Sequence, residues 1–150
     1  MSQVSVPNNQ YQEMPCTQSE FRNGLFNLER VMLEEMKDFH VEPEVKHFFS
    51  DGSYGREMTI LKDTVIVGKI HKHSHINVIS KGVIQVWTEY DTVTYEAPIT
   101  FVSKPLTKRL VKALEDTVWT TIHVTDETNL DKIENEVIAD SYDGLEWGGV

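Results

Sequence analysis

Short segments of alternating or continuous apolar residues, separated by turn-forming residues, fill the chain between Val45 and His123. Side chains of a β-strand alternate between two faces, so the pattern predicts a series of short strands. The predicted strands are Val45–Phe49, Arg56–Leu61, Thr64–His75, Asn77–Ile79, Val83–Glu89, Val93–Glu96, Lys108–Leu114 and Thr117–Val124. The last two are predicted to form a hairpin around Glu115-Asp116. Many short strands at regular spacing are typical of an all-β sandwich or barrel.

Helical patterns flank this β region on both sides. Apolar residues at spacings of three and four predict a helix from about residue 19 to 38, and Thr17-Gln18-Ser19-Glu20 fits a capping box at its start. Thr128-Asn129 precedes a second, short helix that runs from Leu130 to about Ala139. We therefore predict one domain over residues 19–140, with a flexible arm at 1–18 and an acidic, glycine-containing tail at 141–150.

Charge and cysteine content narrow the class of protein. The net charge is −10, from 14 basic and 24 acidic residues, and no basic face is visible that could bind nucleic acid through its phosphates. No apolar run approaches the ~18 residues of a membrane span, and we expect no secretory signal. Cys16 is the single cysteine, which fits a reducing compartment such as the cytoplasm.

Three histidines at every second position give the chain its clearest chemical signal. His71, His73 and His75 would point to one face of a continuous strand, and the segment is bracketed by Gly68 and Gly82. Imidazole is the commonest metal ligand among side chains. The alternative is a polar face in water, which the neighbouring Lys69, Ser74 and Asn77 would also suit.

The same segment resembles the first motif of the cupin family. Gly68-Lys69-Ile70-His71, the later histidines, the hydrophobic strand and Gly82 carry this resemblance, and Ala97-Pro98 with the run from Ser103 to Arg109 resembles a variant of the second motif. Together with Glu115 to His123, these residues are similar to small cupin-like proteins of phage genomes. The resemblance spans about residues 45 to 139. It implies an all-β, cupin-type jelly-roll barrel with an N-terminal helix and a short C-terminal helix.

The chain departs from the family pattern at the metal ligands. The position of the first-motif glutamate falls on His75, and the position of the second-motif histidine falls on Arg109 or Leu110. The resemblance therefore implies a modified ligand set of His71, His75 and His123, with His73 as a further candidate. Imidazole ligands alone suit one divalent transition metal, Zn, Fe, Ni or Cu. Three protein ligands would leave a coordination position open.

Three other residues are candidates for ligand binding. In the cupin register, Arg109 would face the cavity and could hold a carboxylate or phosphate, whereas a solvated strand edge is its other interpretation. Arg56 and Glu57 point to opposite faces of a strand, so at most one lines the cavity, and Glu57 is the nearby carboxylate that could act as a base or ligand. Trp119 shares a face with His123 and could form a pocket wall.

These features support three hypotheses of function. The first is a small barrel that binds a polar or anionic small molecule, with or without the metal. The second is a metal-dependent enzyme of isomerase, lyase or dioxygenase type. The third is a structural or assembly protein of a phage particle, which the arm and Trp147 in the tail would suit. A homo-oligomer, either a dimer or a virion assembly, fits all three, and the host-cell cytoplasm or the virion is the expected location.

Overall fold

The computed structural model describes residues 17–35, 38 and 42–143. Within these ranges the chain forms two helices, α1 (Gln18–Glu35) and α2 (Leu130–Val137). The strands of the same ranges are β1 (Glu44–Ser50), β2 (Ser53–Ile60), β3 (Val65–Val67), β4 (Ile70–His71), β5 (His75–Lys81), β6 (Val83–Trp87), β7 (Thr92–Glu96), β8 (Ile99–Ser103), β9 (Leu110–Ala113), β10 (Thr117–Val124) and β11 (Ile138–Ala139). The mainly β composition predicted from the pattern is confirmed.

Strand pairing defines a jelly roll. One sheet has the order β1-β2-β10-β5-β8, and the other has the order β3-β9-β6-β7. Eight strands remain when β1 and the short β4 and β11 are left aside. The first of these eight pairs with the last, the second with the seventh, the third with the sixth and the fourth with the fifth, all antiparallel. A long antiparallel ribbon rolled into two sheets gives this order, which is that of a jelly roll. The predicted fold class is confirmed by the pairing.

The core lies between the two sheets because alternate residues of each strand face inward. One sheet contributes Ile60, Ile79 and Trp119, and the other contributes Ile84, Val86, Val111 and Ala113, all buried. Their inward positions match the period of two in the sequence. The interior is therefore apolar at this end of the jelly roll.

The predicted strand Thr64–His75 is wrong, because the structure divides it. Val65–Val67 pairs with β9, whereas Ile70–His71 pairs with β11 after α2. The backbone N–H of Lys72 donates to the carbonyl of Val137 at 2.8 Å, and His73 lies in the bend that follows. Contact with the end of α2 thus interrupts the strand, so the three histidines do not alternate along one continuous strand.

The predicted hairpin around Glu115-Asp116 is also wrong. β9 pairs with β3 and β6, whereas β10 pairs with β2 and β5 of the other sheet. The chain crosses between sheets at this turn, where the Asp116 carboxylate accepts the N–H of Lys62 at 2.8 Å. The strands themselves were predicted correctly, and only their partners differ.

Both predicted helices are present, and both pack on the jelly roll. The capping box is confirmed, since Thr17 and Glu20 exchange two hydrogen bonds of 3.0 Å. Buried Leu25 and an ion pair of 2.7 Å between Glu29 and Lys108 hold α1 in place. Within the described ranges, neither helix is long and apolar enough to span a membrane.

Two predicted segments lie mostly outside the described residues. The arm at 1–18 reaches into them only with its last two residues, and Trp147 of the tail is not among them. The assembly role suggested by these segments stays a prediction.

Candidate functional site

A cavity of about 860 Å³ lies beside the main apolar core, from which Val111 and Trp119 contribute to its lining. Inward residues of β2 and β10 form one wall, the segment before β9 forms another, and both helices contribute to its edge. On α2, Ile133 and Val137 are buried against Tyr54 of β2. The volume is sufficient for a small organic molecule.

Three imidazoles meet in this part of the molecule, and we call His71, His75 and His123 the histidine cluster. Their ring centroids lie 4.5 Å apart for His71 and His75, 4.7 Å for His75 and His123, and 5.6 Å for His71 and His123. The three rings come from β4, β5 and β10, so the interruption of the strand after His71 helps to bring them together. The structure thus assembles the three histidines chosen as first candidates.

The histidine cluster is electrically neutral near pH 7. Burial, together with the neighbouring His75 and Arg109, lowers the pKa of His71 to about 2. Burial likewise lowers the pKa of His75 and that of His123 to about 4, with contributions from His123 and Arg109 for the former and Arg56 for the latter. Neutral imidazoles have the lone pair that metal coordination requires.

The donor chemistry of the cluster fits a transition metal. Nδ1 of His71 and Nε2 of His75 are buried without a hydrogen-bond partner, while Nδ1 of His75 lies 3.4 Å from the carbonyl oxygen of His73. Such a carbonyl on the far nitrogen is the usual support of a metal-binding imidazole. Imidazoles sharing one metal at ~2.1 Å in a tetrahedral site have ring centres about 5.3 Å apart. The three observed spacings lie between 4.5 and 5.6 Å.

The nitrogen atoms do not yet converge on one point. Among residues 17–35, 38 and 42–143, no three His, Cys, Asp or Glu side chains form a ready ligand group. A shared ion at this cluster would require the three rings to reorient so that their nitrogen atoms meet at one point.

His73 is not part of the cluster. Its side chain is exposed in the bend between β4 and β5, and its ring is absent from the stacked histidine pairs of the described chain. A continuous strand would have placed His73 on the same face as His71 and His75, and this bend interrupts the strand. Its backbone carbonyl, rather than its imidazole, contacts the cluster through His75.

Arg109 lies inside the cavity wall and is only 9% exposed. Its guanidinium donates to Ser103 Oγ and lies 5.7 Å from the ring centroid of Trp119. Burial lowers its pKa to about 10. Of the two interpretations of Arg109, the structure excludes the solvated strand edge.

Trp119 and Asn77 position this arginine. The indole N–H of Trp119 donates to Asn77 Oδ1 at 3.0 Å, and Asn77 Nδ2 donates to Ser103 Oγ at 2.6 Å. Asn77 has no exposed surface. From the sequence, Asn77 was expected to suit a polar face in water, whereas the structure buries it. Its inward place in the period of β5 was the signal for this burial.

Glu57 does not line the cavity. Tyr54, Arg56 and Met58 of β2 line it, and Glu57 occupies the opposite face of the strand, beside Lys46 in the register with β1. At most one of Arg56 and Glu57 was expected to line the cavity, and the structure places Arg56 there. The Glu57 carboxylate is not placed to act on a ligand in this cavity.

Tyr54 and His47 are cavity residues that the sequence did not single out for function. Tyr54 stacks against His123 at 6.2 Å, and its hydroxyl lies 2.7 Å from His47 Nδ1. Burial raises the pKa of Tyr54. These side chains fix one flank of the His123 ring, and the register of β1 and β2 that joins them was not visible in the sequence.

No protein-family model and no curated protein sequence matches the chain. Several solved structures are similar to it. KdgF from Halomonas sp. is 18% identical, with a TM-score of 0.49 over 64% of this chain and 94% of its own. An RmlC-like cupin family protein with a double-stranded β-helix fold from Methanocaldococcus jannaschii is 9% identical, with a TM-score of 0.49 over 57% and 82%. A cupin-2 domain containing protein from Shewanella frigidimarina is 12% identical, with a TM-score of 0.46 over 65% and 99%. The jelly-roll assignment rests on the strand pairing of this chain itself.

Proposed function

We propose that this jelly roll is a cupin-like binding module that holds a small polar or anionic ligand beside one divalent transition metal. The histidine cluster would hold the ion, and Arg109 would orient the ligand. The observation that carries the proposal is the meeting of three neutral imidazoles, two of which have a buried nitrogen without a hydrogen-bond partner. Buried polar atoms normally have a partner, so these nitrogens favour an ion as their partner.

The absence of acidic ligands from the cluster narrows the choice of metal. Neutral nitrogen donors favour Zn, Fe, Ni or Cu over Mg or Ca, which prefer oxygen. When bound, such an ion supplies a Lewis acid beside the cavity. The protein's own part is to keep the imidazoles unprotonated and to present Arg109 to an anionic group of the ligand.

Elemental analysis of untagged protein tests this proposal. We expect close to one metal ion per chain, with loss of the ion in His71→Ala, His75→Ala and His123→Ala. His73→Ala is the matched control, because it removes a neighbouring imidazole outside the cluster, and it should retain the metal. Absence of metal from the wild-type protein, after incubation with each of the four ions, would refute the metal centre.

A metal-dependent enzyme is the second candidate function. The cluster offers three ligands and faces a cavity, so an ion there would keep a coordination position for a substrate. Turnover that depends on the metal would favour the enzyme over the binding module. The assembly role in a phage particle stays a prediction, since the segments that suggested it lie outside the described residues.

A further inference from the structure

Two guanidinium groups reach the cavity from opposite sheets. Arg109 stands directly before β9, whereas Arg56 lies on β2 of the other sheet, and both line the cavity. Both act on the buried His71, whose pKa each of them lowers. The two positive charges therefore flank the same interior space.

Neither guanidinium has a carboxylate partner among the residues that the structure describes. Arg109 contacts Ser103 and Trp119, and Arg56 contacts the sulfur of Met58 at 3.8 Å. The ion pairs of this part of the chain use other cations, Arg22, Arg30, Lys69 and Lys108. A buried or half-buried charge without a partner is costly, so both side chains point to an anion supplied from outside.

The acids around the cavity do not neutralise these two charges. Glu29 is paired with Lys108, and Glu134 is paired with Lys69. Glu42 lies near the Ile60 end of β2, because the neighbouring Glu44 pairs with Thr59. Asp63 lies at the same end, because it follows β2 in the chain. The histidine cluster lies at the other end, where His123 pairs with Tyr54.

We infer that the ligand of this pocket is a small organic dianion with two separated carboxylates, one on Arg109 and the other on Arg56. Guanidinium binds carboxylate through two parallel N–H···O bonds, which suits a planar acid group. Met58, Val111 and Trp119 line the same cavity and would provide an apolar wall for the carbon skeleton. The inference rests on the proposed binding function, but it does not require the metal.

Calorimetric titration of the full chain in EDTA tests the inference without the ion. The probes are malonate, succinate, glutarate and adipate, together with butyrate and hexanoate as monoanions and inorganic phosphate. We expect one dicarboxylate length to bind at least about tenfold more tightly than the monoanions, because each charged contact contributes a factor of this order. The preferred length would report the separation of the two guanidiniums.

Variants then assign each end of the ligand. Arg109→Gln and Arg56→Gln should each reduce the affinity for the best dicarboxylate at least about tenfold, to that of a monoanion. Arg109→Lys keeps the charge and should give an intermediate loss. Arg30→Gln removes an exposed arginine of α1 that is paired with Glu34, and it should change nothing. Circular dichroism confirms that each variant is folded.

The possible failures are distinct. Equal affinity for monoanions and dicarboxylates, tighter binding of phosphate, or unchanged affinity in Arg56→Gln would overturn the inference. Dicarboxylate binding by protein that never takes up metal would support the inference while refuting the metal centre. Metal uptake without a preference for dicarboxylates would support the metal centre and overturn the inference of a dicarboxylate ligand.

Discussion

Replacing Arg109 by methionine is expected to stabilise the ligand-free protein, although it removes a side chain from the binding site. Burial lowers the pKa of this guanidinium from 12.5 to about 10. At ~1.4 kcal/mol for each pH unit, this corresponds to about 3 kcal/mol of unfavourable free energy in the folded state. The lost hydrogen bond from this charged group to Ser103 costs about 1.5 kcal/mol, and the lost contact with Trp119 costs about 0.5 kcal/mol. A net gain of about 1–2 kcal/mol remains.

Urea unfolding at pH 7 in EDTA, followed by circular dichroism, measures this gain. In a domain of this size it corresponds to a rise in melting temperature of roughly 3–6 °C. Arg30→Met is the control, because its ion pair with Glu34 is exposed and should contribute less than about 0.5 kcal/mol. If Arg109→Met instead destabilises the protein by more than ~1 kcal/mol, the arginine is a structural element and the reasoning about an absent anion is wrong.

Three further predictions concern stability. In metal-free protein the histidine cluster is neutral when folded, so unfolding takes up protons below pH 6.5. The free energy of unfolding should therefore fall from there towards about pH 4, by up to ~1.4 kcal/mol per pH unit for each histidine. Urea unfolding at pH 7, 6 and 5 should show this slope, and a flat profile would contradict burial of neutral rings. Asn77→Ala should cost about 2–4 kcal/mol because Trp119 loses its acceptor in the interior, and a cost below ~1 kcal/mol would show that the network is unimportant. Gly82→Ala should lower the free energy of unfolding by more than ~2 kcal/mol, since φ is +94° and a Cβ there would lie 2.6 Å from Thr117 Oγ1. Gly24→Ala is the control, because it lies on the open face of α1 and should be neutral or stabilising. Equal effects of the two substitutions would contradict the strain at residue 82.

Strand positions were predictable from the sequence because the period of two is a local property. Thr117–Val124 is a strand in both the prediction and the structure. Its partner was not predictable, because a turn such as Glu115-Asp116 can either close a hairpin or carry the chain to the opposite sheet. The pairing of strands distant in sequence decides between a hairpin and a crossing. In this jelly roll the chain crosses to the opposite sheet at this turn.

The histidine cluster was predictable in membership but not in geometry. His71 and His75 stood out through their spacing and their resemblance to the cupin motif, and His123 through its strand. The bend at His73 depends on a hydrogen bond to the end of α2, more than sixty residues later, and no local pattern encodes it. Whether Arg56 has a carboxylate partner likewise depends on which acids fold near it, and the described residues provide none.

X-ray diffraction from crystals grown with Zn²⁺ tests the central claim most directly. An anomalous difference map should show one strong peak within bonding distance of ring nitrogens of His71, His75 and His123, facing the cavity. A map with no peak at the histidine cluster, or with zinc bound only at surface side chains, would contradict the account.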